Sequence, residues 1–213
     1  MWISSFSTYC LITGVNIMIQ KNSFYAAILS CFMLFFLIGC STAPVNQSAR
    51  YEERLALSQW EINGKLAIQQ NKQGASLSFD WQHQGREQYT IQLSGSLGQG
   101  ASELRVAPGM AILTLDNGES YQGEHPQALV KSVLGWDIPF SSLDYWIRGM
   151  PSPESAYTAE HDVYERLVSL TQQRWEITYT HFDAINGMEL PTNFRATNGD
   201  VVLKVIIKEW NIK

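Results

Sequence analysis

The sequence predicts an α+β domain in which a long, mostly antiparallel, curved sheet forms an incomplete, half-open β-barrel. Three observations carry this reading. From Trp60 onward, stretch after stretch alternates apolar and polar residues with period two, separated by turns rich in Gly and Asn, which is the rhythm of an antiparallel meander. Two short stripes of helical period interrupt the strands, at Leu129-Val130-Val133-Leu134 and at Leu143-Trp146-Ile147. No cysteine follows Cys40, so the domain must hold by packing, and a sheet of about ten strands with one apolar face tends to curl.

The chain opens with a leader. Leu37-Ile38-Gly39-Cys40 closes an uncharged apolar run that starts at Phe24 and follows Lys21. A basic start, roughly 7 to 15 apolar residues and a small residue before the cut define a signal peptide, and here the cut leaves a cysteine to be lipidated. Residues 1–39 are therefore expected to be a signal peptide, with translation starting at Met18, because residues 1–17 carry no charge. An uncleaved anchor helix is the alternative, but Ser41-Thr42-Ala43-Pro44 turns polar at once, where a spanning helix needs about 20 apolar residues. Residues 40–57 are read as the lipidated N-terminus and tether, with a helical turn within Arg50 to Leu57, and residues 58–213 as one domain.

Trp60, Ile62, Leu66 and Ile68 share one face of a first strand. The pattern resumes at Ala75/Leu77/Phe79/Trp81, at Tyr89/Ile91/Leu93, at Leu104 to Val106, at Met110 to Leu115 and at Ser120 to Gln122, with Asn117-Gly118 as a hairpin signal. Pro126 suits a first helical position and Gly135 a helix end. Ser141 with Asp144 resembles a capping box for a second helix, which closes at Gly149. Strands return at Leu167 to Leu170, Trp175/Ile177/Tyr179, Thr192 to Ala196 and Val201/Leu203/Val205/Ile207. This gives about ten strands and two helices.

The charges exclude some functions. Lys21 is the only one of 15 basic residues before Cys40, which leaves 14 against 20 acidic ones, scattered rather than in runs. That argues against nucleic-acid binding and against a polybasic membrane contact. Catalytic signatures are thin. Ser94-Gly95-Ser96-Leu97-Gly98 lacks the first glycine of a nucleophile elbow, and Gly98-Gln99-Gly100 meets Glu103 where a dinucleotide loop needs its third glycine. His83, His125, His161 and His181 lack ligand spacing, so no metal is expected and all four read as solvated loop residues. No cofactor is expected beyond covalent N-acyl and S-diacylglyceryl groups on Cys40. What remains is an apolar interior, which pattern alone leaves open as filled or hollow, and Leu97, the one large hydrophobe in the loop from Ser94 to Gly100.

Three segments bring a family into view: Gly135-Trp136-Asp137-Ile138-Pro139-Phe140-Ser141-Ser142-Leu143 running into Trp146-Ile147-Arg148-Gly149-Met150-Pro151, Ser96-Leu97-Gly98 before Glu103-Leu104, and Trp210-Asn211-Ile212. Over Trp60 to Lys213 the chain resembles the outer-membrane lipoprotein receptors of the LolB family. The resemblance implies a half-barrel with a short-helix lid over an apolar cavity, anchored by lipid in the outer membrane and facing the periplasm. It implies a monomer, without enzymatic activity, that takes acylated lipoprotein cargo from a periplasmic LolA-like carrier and inserts it into the inner leaflet of the outer membrane. It also implies that Leu97 enters the membrane, although Ser96 stands where a relative has proline. Ser41 and Thr42 fit, because the pathway holds back lipoproteins with Asp directly after the lipidated cysteine. On this reading Trp81, Tyr89, Ile91 and Trp175 on the sheet, with Trp146 and Ile147 on the lid, line the acyl-chain cavity. A scaffold lipoprotein with a filled core is the alternative, and a lipid-processing enzyme would need a nucleophile and base that the sequence does not offer.

Overall fold

The computed structural model describes residues 47–213 except 86 and 96–99. Cys40 and Leu97 lie outside the described residues. The described part contains three helices, α1 (Gln47–Leu55), α2 (Pro126–Leu134) and α3 (Phe140–Ile147), and eleven strands. The strands are β1 (Gln59–Gln70), β2 (Gln73–Gln84), β3 (Tyr89–Ser94), β4 (Ser102–Ala107), β5 (Met110–Thr114), β6 (Ser120–Gly123), β7 (Tyr157–His161), β8 (Leu167–Gln172), β9 (Trp175–Ile185), β10 (Met188–Asn198) and β11 (Val201–Ile212).

All eleven belong to one sheet, ordered β6-β5-β4-β3-β2-β1-β11-β10-β9-β8-β7. Two antiparallel meanders are joined where β1 pairs with β11, and among the described residues the edges β6 and β7 have no outer strand, so the barrel is open. The expected fold class is the observed one.

Register converts the period-two pattern into a continuous apolar floor. Ile62 faces Trp81, Trp81 faces Ile91, Ile91 faces Leu104 and Leu104 faces Leu113. Each of these five is at most 5% exposed, and burying each side chain contributes about 2 kcal/mol. A bulge re-aims the end of the sheet. Asn63 pairs with Glu209 but Gly64 with Ile207, so β11 carries one extra residue there. Trp210 thereby joins Leu203, Val205 and Ile207 on the buried face. At this point β11 comes so close that a Cβ on Gly64 would run into the Ile206 carbonyl, which is why the position is glycine.

Several local expectations change. Part of the predicted tether is folded: α1 runs from Gln47, and its Arg54 is 6% exposed, so the domain begins well before residue 58. Ser141 does not cap α3, which starts at Phe140 behind Pro139 with no side-chain cap. Asp144 is held instead by Arg148, at 2.7 Å. His83 is not a solvated loop residue but sits on β2 with 8% exposure, on the same face as Phe79 and Trp81.

Candidate functional site: an apolar cavity under a helical lid

α2 and the segment leading into α3 cross the floor described above. Leu129 and Val130 on α2, and Phe140, Leu143, Trp146 and Ile147 on α3, are buried. α2 ends as its sequence suggests, with Gly135 at φ 78° donating its N–H to the Lys131 carbonyl.

Between lid and sheet lies a cavity of about 50 Å³. Its floor is Leu66, Phe79, Trp81, Ile91, Leu93, Ser102, Leu104, Leu113, Leu203 and Val205, and its roof Val130, Leu134, Trp136, Ile138, Phe140, Leu143 and Ile147. Apart from the Ser102 hydroxyl and the indole N–H groups, these walls are hydrocarbon. A second, larger cavity of about 350 Å³ lies beside α1, but Arg50, Glu52, Arg54, His161 and Glu165 are among its walls. Apolar chains gain free energy in proportion to the apolar surface they remove from water, so of the two the smaller cavity is the one whose walls suit a hydrophobic ligand. Its volume holds only a few water-sized groups. Housing an acyl chain requires the roof to move.

The sequence-chosen residues divide. Trp81, Ile91 and Ile147 are on the cavity wall, while Tyr89, Trp146 and Trp175 are not. Tyr89 packs with its ring 5.5 Å from Trp81 and stacks beside His83, and burial pushes its phenol pKa well up. Trp146 is fully buried and bolts the lid to the sheet. Its Nε1 donates to Gln172 Oε1 at 2.9 Å, its carbonyl accepts the Tyr179 hydroxyl at 2.8 Å, and its ring lies 5.8 Å from Trp175. Gln172, 1% exposed, also donates to the Ser152 and Ser155 carbonyls and accepts the Ser152 N–H. The roof residues Val130, Leu134, Trp136, Ile138, Phe140 and Leu143 were not in the sequence-derived set, although the helical stripe of α2 and the apolar positions around Pro139 carry their signal.

Polar contacts hold α3 more firmly than α2. Asp144 lies between His83, whose Nε2 is 3.4 Å from Oδ1, and Arg148, whose Nη2 is 2.7 Å from Oδ2. Arg148 Nη1 also donates to the Arg54 carbonyl at 3.1 Å. Arg54 in turn donates to the Gly149 carbonyl at 2.8 Å and the Glu189 carbonyl at 2.7 Å, and burial lowers its pKa. α2 is secured mainly at the surface, where Asp137 accepts from Lys131 Nζ and Gln127 Nε2, both at 2.7 Å. Those two donors, with Lys131 the stronger influence, hold the Asp137 carboxyl below its ordinary range. Among the described residues no cluster of three metal-ligating side chains occurs, and no helix is long and apolar enough to cross a membrane.

Residues 58–210 match the sequence family described as Outer membrane lipoprotein LolB. Among similar proteins, the outer-membrane lipoprotein LolB of Marinobacter nauticus is 37% identical over 171 residues, covering 78% of this chain and 82% of that one. That of Coxiella burnetii strain RSA 493 is 33% identical over 183 residues, covering 81% and 86%. In fold, the chain resembles a LolA superfamily protein from Nitrosomonas europaea, with a TM-score of 0.51 and 7% identity over 80% of this chain and 94% of that one. It also resembles a putative outer membrane lipoprotein-sorting protein domain from Vibrio parahaemolyticus, with a TM-score of 0.50 and 5% identity over 78% and 91%.

Proposed function

Because the chain belongs to the LolB family of outer-membrane lipoproteins, we propose that it is an outer-membrane-anchored receptor. It takes acylated lipoproteins from a LolA-like periplasmic carrier and inserts them into the inner leaflet of the outer membrane. The observation that carries this reading is the hydrocarbon-walled cavity between the curved sheet and a lid of short helices.

Each methylene taken out of water is worth about 0.8 kcal/mol, so acyl chains do not cross the periplasm free. They pass from one apolar enclosure to the next, and a receptor needs only to hold them more tightly than the carrier and less tightly than the bilayer. No bond is made or broken and no energy source enters. Trp81, Ile91 and Ile147 touch the chains, and α2 lifts to admit them, because α3 is pinned by Trp146, Asp144 and Arg148. Cys40 carries the N-acyl and S-diacylglyceryl groups that anchor the receptor, Leu97 dips into the bilayer during insertion, and the receptor works as a monomer. Mixing the carrier, loaded with an acylated lipoprotein, with the mature chain carrying Cys40→Ala tests the reading. Cargo is expected to move to the receptor; cargo that stays on the carrier while the receptor remains folded would contradict it.

A further inference from the structure

The buried tryptophans are not alike in how their indole N–H groups are satisfied. Trp146 donates to Gln172 and Trp210 to the Pro191 carbonyl, at 2.9 and 3.0 Å. Trp60 and Trp81, at 1% and 3% exposure, bury their Nε1 atoms with no acceptor among the described residues. A buried donor without a partner is costly, and a native structure that keeps one requires a reason.

The two differ in position. Trp60 is enclosed by other rings, stacked 4.9 Å from His83 and tilted against Trp81 and Trp210. Trp81 is part of the cavity wall, beside Ile91 and Leu104. Among the described residues nothing holds a water at this donor, because an ordered water needs two to four polar partners, and the only hydroxyl on the described walls belongs to Ser102. An apolar ligand that carries an acceptor would supply the missing partner at Trp81, which borders the cavity, as it could not at Trp60.

A hydrocarbon chain brings no acceptor, but an acylated lipoprotein does, because the carbonyls of its diacylglyceryl esters travel directly behind the chains. We propose that the Trp81 Nε1–H donates a hydrogen bond to an ester carbonyl of the bound cargo, so that the cavity recognises the acyl linkage as well as the chains. This assignment rests on the receptor reading given above. Parting of the lid, which admission of a chain requires in any case, brings the carbonyl to Trp81. The donor then fixes how deeply the chains enter: tails toward Leu113 and Val130, glyceryl group at Trp81. In the closed state the Trp81 ring lies tilted against the rings of Trp60 and Tyr89, with centroids 5.5 Å apart in both pairs, and a ring face is at best a weak acceptor.

The test compares two synthetic ligands on the mature chain with Cys40→Ala: a diacylglyceryl-cysteine peptide, and the same peptide with ether linkages in place of both esters. The unsubstituted cavity is expected to bind the ester form about fivefold more tightly, the worth of one ordinary net hydrogen bond. Trp81→Phe, which keeps an aromatic ring but not the donor, is expected to bring the ester-to-ether affinity ratio down to about one, whatever it does to the affinity for the chains themselves. As a check independent of the variant's folding, the indole ¹⁵N–¹H resonance of Trp81 in the unsubstituted protein should shift downfield with the ester ligand and not with the ether. Equal affinity for both ligands before substitution, or an unmoved Trp81 resonance, would overturn the assignment while leaving the receptor reading intact. Binding of neither ligand would overturn both.

Discussion

His83 on β2 and Asp144 on α3 meet inside the molecule, with Nε2 3.4 Å from Oδ1 and the two side chains 7% and 16% exposed. This contact ties the lid helix to the strand that carries Trp81. The approach is long, leaving Oδ1 without a hydrogen bond among the described residues, and it is Arg148, 4% exposed and 2.7 Å from Oδ2, that holds the carboxylate as its counter-ion. Asp144→Ala leaves a buried guanidinium without its charge partner and is expected to cost about 3 kcal/mol, read as a lower urea midpoint at unchanged slope. His83→Phe keeps the stack on Trp60 and should cost far less. Similar losses for the two variants would contradict the division of roles.

The other lid helix depends on Asp137. Its carboxyl is depressed by Lys131 and Gln127, so its contribution is present above the ordinary carboxylate pKa of about 3.9 and fades as pH falls through the lower folded value. Asp137→Asn should speed amide hydrogen exchange over Pro126–Leu134 at neutral pH with little change in global stability, since a partly exposed pair is worth little. In the unsubstituted chain the same acceleration should appear only below about pH 4.

Gly149 closes the Trp146-Ile147-Arg148-Gly149-Met150-Pro151 segment at φ 71°, where a Cβ would stand 3.0 Å from Pro191 Cγ and 3.1 Å from Arg54 Nη1. Gly149→Val combines a left-handed backbone with that clash and is expected to destabilise by about 3 kcal/mol, measured as a fall in Tm. Gly109→Val, at the matched φ of 73° but with nothing within 4 Å of an added Cβ, should cost less, which separates the clash from the backbone effect.

Leu97→Glu should leave cargo uptake intact and block insertion into vesicles. Strand direction adds a requirement. β3 leaves the end of the sheet where β1 begins, and its six residues carry the chain about 20 Å before the loop that contains Leu97. The six residues 41–46 between Cys40 and α1 span at most about 22 Å, a reach comparable with that length of strand. Deleting residues 42–46 should therefore reproduce the insertion defect of Leu97→Glu in the anchored receptor, and not when Cys40 is also replaced. Vesicle insertion of a labelled lipoprotein measures both.

Much of the sheet was legible because Trp60/Ile62 and Trp81/Ile91/Leu104/Leu113 are half-buried strand positions, where period two reports burial directly. β7 was not, because its edge position wets both faces of Tyr157–His161 and erases the alternation. α1 was underestimated because its sequence is polar, and of its described side chains the buried one is Arg54, which donates to carbonyls far along the chain rather than pairing with a residue near it in sequence. Ser141 and Asp144 had the spacing of a cap, but Arg148, one turn further on, claimed the carboxylate. For the cavity, period two placed Trp81 and Ile91 on the inner face without distinguishing a lined void from solid core. That is why Trp146 and Trp175, which pack against each other, were read together with residues that border space. His83 was legible by parity, two residues beyond Trp81, and was obscured by the polar residues on either side.

The central claim is that acyl chains occupy the space between the sheet and the α2–α3 lid. A lipoprotein cargo with a photoactivatable diazirine near the end of one acyl chain, handed over by the carrier and irradiated, tests it directly once the labelled peptides are sequenced. Labels are expected on the cavity wall, on Leu104 to Leu113 and Val130 to Leu143. Labels beside α1, at Tyr51, Tyr157 or Leu167, or none on a folded receptor that has taken the cargo, would contradict it.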